Sequence, residues 1–224
     1  MSFPDIITTL SDVSILLPFF IILQKKAVLK DTHFIIALYI LMTFIRNTLS
    51  IVIEILRNIK EIDLNTVFLY NIHCMVNFWL ISYLYAQLLT GKFWQYFIIV
   101  SNIFFIIFTL YDFETVSNWN TIHFNRFSYQ LAGAFAIILL LQYFFQLLKK
   151  LEVPRLSNFP LFWFSSGALI YYAGTFFMYL AINSFNGNPD LGKLYWPIDA
   201  ILSIAFNILA TVAIWKVDSP DAGI

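Results

Sequence analysis

Arg46 and Asn47 stand near the middle of a membrane-length apolar run, His33 to Arg57 (HFIIALYILMTFIRNTLSIVIEILR), with Glu54 toward one end. An arginine at the centre of a bilayer-spanning helix costs roughly 2.5 to 3.5 kcal/mol on insertion scales, so it persists only beside a partner or a wet cavity. Asp12 is the nearest candidate. Counted inward from Leu23 it lies about 16 Å deep, and Arg46 counted from Phe34 lies about 18 Å deep. Similar depth on adjacent helices predicts an Asp12–Arg46 ion pair. Such a pair can be structural, or the guanidinium fork can hold an anionic ligand.

Thr43, Asn47, Ser50 and Glu54 recur at spacings of 4, 3 and 4, which makes one polar stripe with Arg46 on its flank. His73 and Asn77 are one turn apart, and Asp199, Ser203 and Asn207 recur at i, i+4 and i+8. The candidate ligand-binding set is therefore Asp12, Arg46, Asn47, Glu54, Asn77 and Asp199, lining a polar cavity in the outer half of the membrane. The alternative for Asn47, Glu54, Asn77 and Asp199 is interhelical hydrogen bonding, each bond worth roughly 0.6 to 2 kcal/mol.

No catalytic chemistry is legible. The histidines His33, His73 and His123 have no HxxxH or HExxH spacing, and no GxSxG element or P-loop occurs. The single cysteine, Cys74, excludes an intrachain disulfide and a thiolate metal cluster. The seventh apolar segment has no lysine between Lys193 and Lys216, which argues against a retinal Schiff base. The expectation is no enzyme, no metal and no cofactor.

The elements that must position these residues are membrane helices. Hydrophobic residues make up 60% and charged residues 12% of the chain, and its mean hydropathy is +0.79, whereas soluble domains carry about 25% charged residues. Zero formal net charge removes the electrostatic basis for nucleic-acid binding. Seven apolar segments can be drawn, about 5–24, 33–57, 64–90, 93–111, 127–148, 159–183 and 194–216, each near the roughly 20 residues a span needs. The predicted fold is an all-α, seven-transmembrane-helix bundle forming a single domain over 1–224. The first segment follows no basic stretch and is read as retained, opening on a capping box at Ser2-Phe3-Pro4-Asp5.

Eight basic residues follow segments 1, 3, 5 and 7: Lys25, Lys26, Lys30, Lys92, Lys149, Lys150, Arg155 and Lys216. Four lie on the other side: Arg57, Lys60, Arg126 and Lys193. The positive-inside rule puts the N-terminus outside and the C-terminus in the cytoplasm, in an inner (plasma) membrane. Gly167 and Gly174 share a face of the sixth segment and suit close helix contact. The fourth segment is the most plainly apolar and is expected to face lipid. The stretches Asp112 to Arg126 and Asn183 to Trp196 are rich in turn formers and aromatics, and are expected to form a partial lid.

The segments FPLFWFSSGALIYYAGTFFMYL, AFNILATVAIWK and NIHCMVNFWLISYLY resemble small seven-helix bacterial membrane proteins related to the membrane-sensor regions of histidine kinases. The resemblance covers about a quarter of the chain and offers no catalytic residues. It implies a sensor or receptor-like module that binds a small polar or anionic ligand, or reads membrane state. Eight residues follow Lys216, so a signal would pass to a separate cytoplasmic signalling protein. The competing classes are a small-solute transporter built as three plus one plus three helices, and a structural subunit of a membrane complex.

Overall fold

The computed structural model describes residues 3–25, 31–60, 66–116, 126–150, 156–184 and 189–218. Among these there are eight α-helices and no strand: α1 Phe3–Ser14, α2 Leu16–Gln24, α3 Asp31–Lys60, α4 Val67–Leu88, α5 Lys92–Val116, α6 Arg126–Lys150, α7 Pro160–Ser184 and α8 Pro189–Trp215. Seven stretches are long and apolar enough to cross a membrane, the first being Ile6–Gln24, which takes in both α1 and α2. The remaining six are α3 to α8 in order. Each agrees with an expected segment to within a few residues.

Local chemistry explains the boundaries. Pro18 has no N–H, and its ring crowds the carbonyl four residues back, so the hydrogen-bond ladder of the first span is interrupted at Ile15, which itself keeps a helical backbone at φ −64° and ψ −21°. Pro160 and Pro189 stand at the first helical position, where a missing N–H costs nothing. Helix α8 therefore begins earlier than the 194 expected from hydropathy, and runs through Pro197. The expected lid is correspondingly reduced: Asp112 to Val116 continue α5, and Pro189 to Trp196 belong to α8. Residues 117–125 and 185–188 lie outside the described residues, as does Ser2 of the expected capping box.

Between α4 and α5 the chain turns on Gly91, whose φ of 107° is open to glycine at little cost. The turn is tied to α6. Gln146 Oε1 accepts from Thr90 N at 3.0 Å and Thr90 Oγ1 at 3.1 Å, while Gln146 Nε2 donates to Thr90 O at 3.2 Å. Gln95 Nε2 donates to the carbonyls of Ala86 and Leu89 at the end of α4, which the helix itself leaves without a partner.

The helices close a ring, α8 to α7 to α6 to α4 to α3 to α2 and back to α8, with α1 leaning on α8 and α5 packed outside on α4 and α6. Contacts near both ends fix the directions. Tyr129 OH donates to Tyr70 O and Gln130 Nε2 to Tyr179 O at one end, and Lys25 Nζ donates to Trp215 O at the other. The first is here called the N-terminal face, because α1 starts there. Peripheral α5 shows lipid-compatible side chains such as Phe93 and Ile107, and buries Ile98, Ser101, Phe105, Thr109 and Asp112 at helical spacing. Asp112 accepts from Ser128 N and Oγ in the first turn of α6, where a carboxylate also favours the helix dipole.

The expected close contact at the two glycines is present. A Cβ added at Gly174 would fall 2.5 Å from Leu202 Cδ1, and one at Gly167 would fall 3.0 Å from Leu209 Cβ, so α7 and α8 meet over both positions. The main apolar core is asymmetric. It fills the half toward the C-terminal face with Ile36, Ile40, Leu84, Leu140, Phe164 and Ile214, among others. The opposite half holds a smaller apolar cluster around Cys74, Phe78, Phe105 and Ala132, and beside it the polar stripes.

Candidate functional site

Three polar stripes at helical spacing converge in that half. Thr8, Ser11 and Asp12 come from α1, Tyr39, Thr43, Arg46 and Asn47 from α3, and Asp199, Ser203 and Asn207 from α8. With Tyr70 and His73 of α4 and Tyr171 of α7 they enclose a cavity of about 140 Å³. A buried water needs about 10 to 15 Å³ by this measure, so the space suits a small organic molecule or a group of waters. Tyr39 and Phe206 form the floor. The Tyr39 ring stands edge-on to Phe164 at 5.7 Å and Phe206 at 5.5 Å, and its hydroxyl shares a 3.2 Å hydrogen bond with that of Tyr172. Beneath it the apolar core is closed.

The break in α1–α2 sits beside the cavity and is held by α8. Asn207 Nδ2 donates to Ser14 Oγ at 2.7 Å, and Ser14 Oγ donates to Ser11 O at 2.7 Å. On the far wall Thr43 Oγ1 donates to Tyr39 O at 2.9 Å and lies 3.2 Å from His73 Nε2, which is itself 2.9 Å from Asn77 Nδ2. These bonds stiffen the walls. They leave the charged groups uncommitted.

Arg46 places its guanidinium carbon 4.8 Å from the centroid of the Tyr70 ring, a cation–π contact. Its Nε is buried without a hydrogen-bond partner, and so are Asn47 Oδ1 and Asp199 Oδ1. Leaving a buried polar group unmatched costs about 1 to 3 kcal/mol, and more for a charged one. All three atoms belong to residues that line the cavity, where ordered water or a solute can supply the missing partner.

Of the expected site residues, Asp12, Arg46, Asn47 and Asp199 line the cavity together. The expected Asp12–Arg46 ion pair is not made: among the described residues no contact within 4.0 Å joins Arg46 to Asp12 or to Asp199. Depth counting fixes height along the membrane normal but not the gap between helices, and α1 leans on α8 rather than on α3. Asn77 is buried one layer behind, against His73. Glu54 is exposed and outside the cavity, about 12 Å further along α3 than Arg46.

Sequence reasoning passed over Thr8 and Ser11, although their i, i+3, i+4 spacing with Asp12 was visible. Tyr39, Tyr70 and Tyr171 line the cavity as well. An aromatic in an aromatic-rich helix carries no periodic signal. Among the described residues, no group of three or more His, Cys, Asp or Glu is placed to hold a metal ion. Comparison with protein-family profiles, with curated proteins and with solved structures gives no match.

Proposed function

We propose that this chain is a receptor-like membrane module that takes a small polar solute into the cavity at Arg46 and relays its occupancy to a separate cytoplasmic protein. One observation carries the reading: Arg46 and Asp199, each with a buried unpartnered atom, line a cavity on one side of the bundle while the other side is packed shut with apolar side chains. A polar cavity on one side of a closed apolar half suits recognition from one side, although one state of an alternating-access transporter has the same form. The resemblance to sensor regions of histidine kinases supports the same reading, and the excess of basic residues on one side supports an orientation with the cavity outside and the apolar half toward the cytoplasm.

A transporter is the second reading, favoured by the broken first span beside the cavity, because discontinuous helices flank the midplane sites of many transporters. Single cysteines at Ser203 and Thr43, in a Cys74→Ser background, test the shared premise. Both should react with a membrane-impermeant thiol reagent applied from the N-terminal face, and a cysteine at Ile40 should not. Protection at Ser203 and Thr43 would make the polar stripes structural and remove both readings. Uptake of a bound solute into proteoliposomes would replace the receptor by the transporter.

A further inference from the structure

The arrangement of charge in the cavity narrows its ligand. This step rests on the receptor-like reading above and names the chemical class of the solute. The lining has one basic side chain, Arg46, and two acidic ones, Asp12 and Asp199, so its formal balance is one negative charge before any protonation of His73. The opposite charges do not neutralise one another in direct contact, since no ion pair within 4.0 Å joins them among the described residues. They are kept apart. Tyr70 covers one face of the Arg46 guanidinium, Asn207 is committed to Ser14, and Thr43 is committed to Tyr39 and His73, while Asn47 leaves its Oδ1 without a partner.

A simple anion would satisfy Arg46 but meet two carboxylates. A simple cation would satisfy Asp199 and leave the buried Arg46 Nε unmatched, which is costly in a low-dielectric site. A molecule with an anionic group at one end and a cationic group at the other answers both. The walls suit the cationic end as well, because Tyr39, Tyr171 and Phe206 supply aromatic faces. The carboxylate or phosphate end suits the planar fork of Arg46.

We propose that the cavity binds a small zwitterion, with its anionic group on Arg46 and its ammonium group on Asp199. The same chemistry could come from a free amino acid or from the headgroup of an aminophospholipid.

The test uses the purified full-length chain in detergent, with thermal stability and a competition assay as readouts. The probes are glycine, β-alanine, 4-aminobutyrate and 6-aminohexanoate, a short-chain phosphatidylethanolamine, and the half-ligands butylamine and butyrate. At least one zwitterion should raise the unfolding temperature saturably, and the half-ligands together at equal concentration should not. Arg46→Gln and Asp199→Asn should each weaken that binding at least about tenfold. Should either variant fail to fold, protection settles the matter: the same zwitterion must shield a cysteine at Ser203, in the Cys74→Ser chain with Arg46 and Asp199 intact, from the thiol reagent. A free amino acid that protects where the lipid does not assigns the source to solution, and the reverse assigns it to the bilayer. Butylamine or butyrate binding as tightly as any zwitterion would overturn the proposal while leaving a ligand cavity. No binding by any probe, with the Ser203 cysteine still reactive, would likewise overturn the zwitterion and spare the cavity. An unreactive cysteine at Ser203 would end both.

Discussion

Asn207 on α8 donates a 2.7 Å hydrogen bond to Ser14 on α1, joining residues 193 positions apart at the point where Pro18 breaks the first span. Both side chains are buried, so the bond ties α1 to α8 just before the interruption at Ile15.

Ser14→Ala and Asn207→Ala should each destabilise the protein, and the double variant should lose less than the sum. Membrane interhelical bonds average about 0.6 kcal/mol and reach about 1.7 kcal/mol, so the coupling should fall in that range. Unfolding in mixed micelles measures it. Strict additivity would mean that the two residues do not meet.

Gly174→Ala puts a methyl 2.5 Å from Leu202 Cδ1 and should destabilise by about 1 to 3 kcal/mol through overpacking. Adding Leu202→Ala should restore much of that loss, because the clash is with the end of a single side chain. A Gly174→Ala protein as stable as the parent would mean that the Leu202 methyl groups turn aside at little cost.

Tyr70→Phe should leave stability near that of the parent, whereas Tyr70→Leu should lower it by up to about 2 kcal/mol, the worth of a desolvated cation–π contact. The hydroxyl of Tyr129 bonds the backbone carbonyl of Tyr70 and is untouched by either change. Equal effects of Phe and Leu would assign Tyr70 to packing or to its own hydroxyl.

The charge bias predicts that a reporter fused after Ile224 is active only in the cytoplasm and one inserted near Asn186 only outside. The opposite pattern would turn the cavity toward the cytoplasm. It would also reverse the direction of the proposed relay.

Glu54, Asp12 and Tyr70 show where sequence reading stops. The seven spans were legible because a membrane segment declares itself by length and hydropathy, both local properties. The stripes on α3 and α8 were legible because helical spacing puts i, i+4 and i+8 on one face whatever the neighbours are. Hence the polar faces that bring Arg46, Asn47 and Asp199 to the cavity lining are visible in the chain alone, and so is the α7 glycine face. A stripe says nothing about where its neighbours end. Glu54 continues the stripe of Asn47, yet α3 carries it beyond the cavity.

Asp12 and Arg46 matched in depth, but only packing decides lateral distance. The Pro18 break and the Asn207–Ser14 bond commit α1 to α8, leaving the two charges on opposite walls instead of in contact. Tyr70 became a cavity wall only when α4 was set beside α3. Sequence by itself determined which residues are polar and how far along its helix each one lies. Tertiary structure alone decided which of them face each other, because that depends on long-range helix contacts and not on local periodicity.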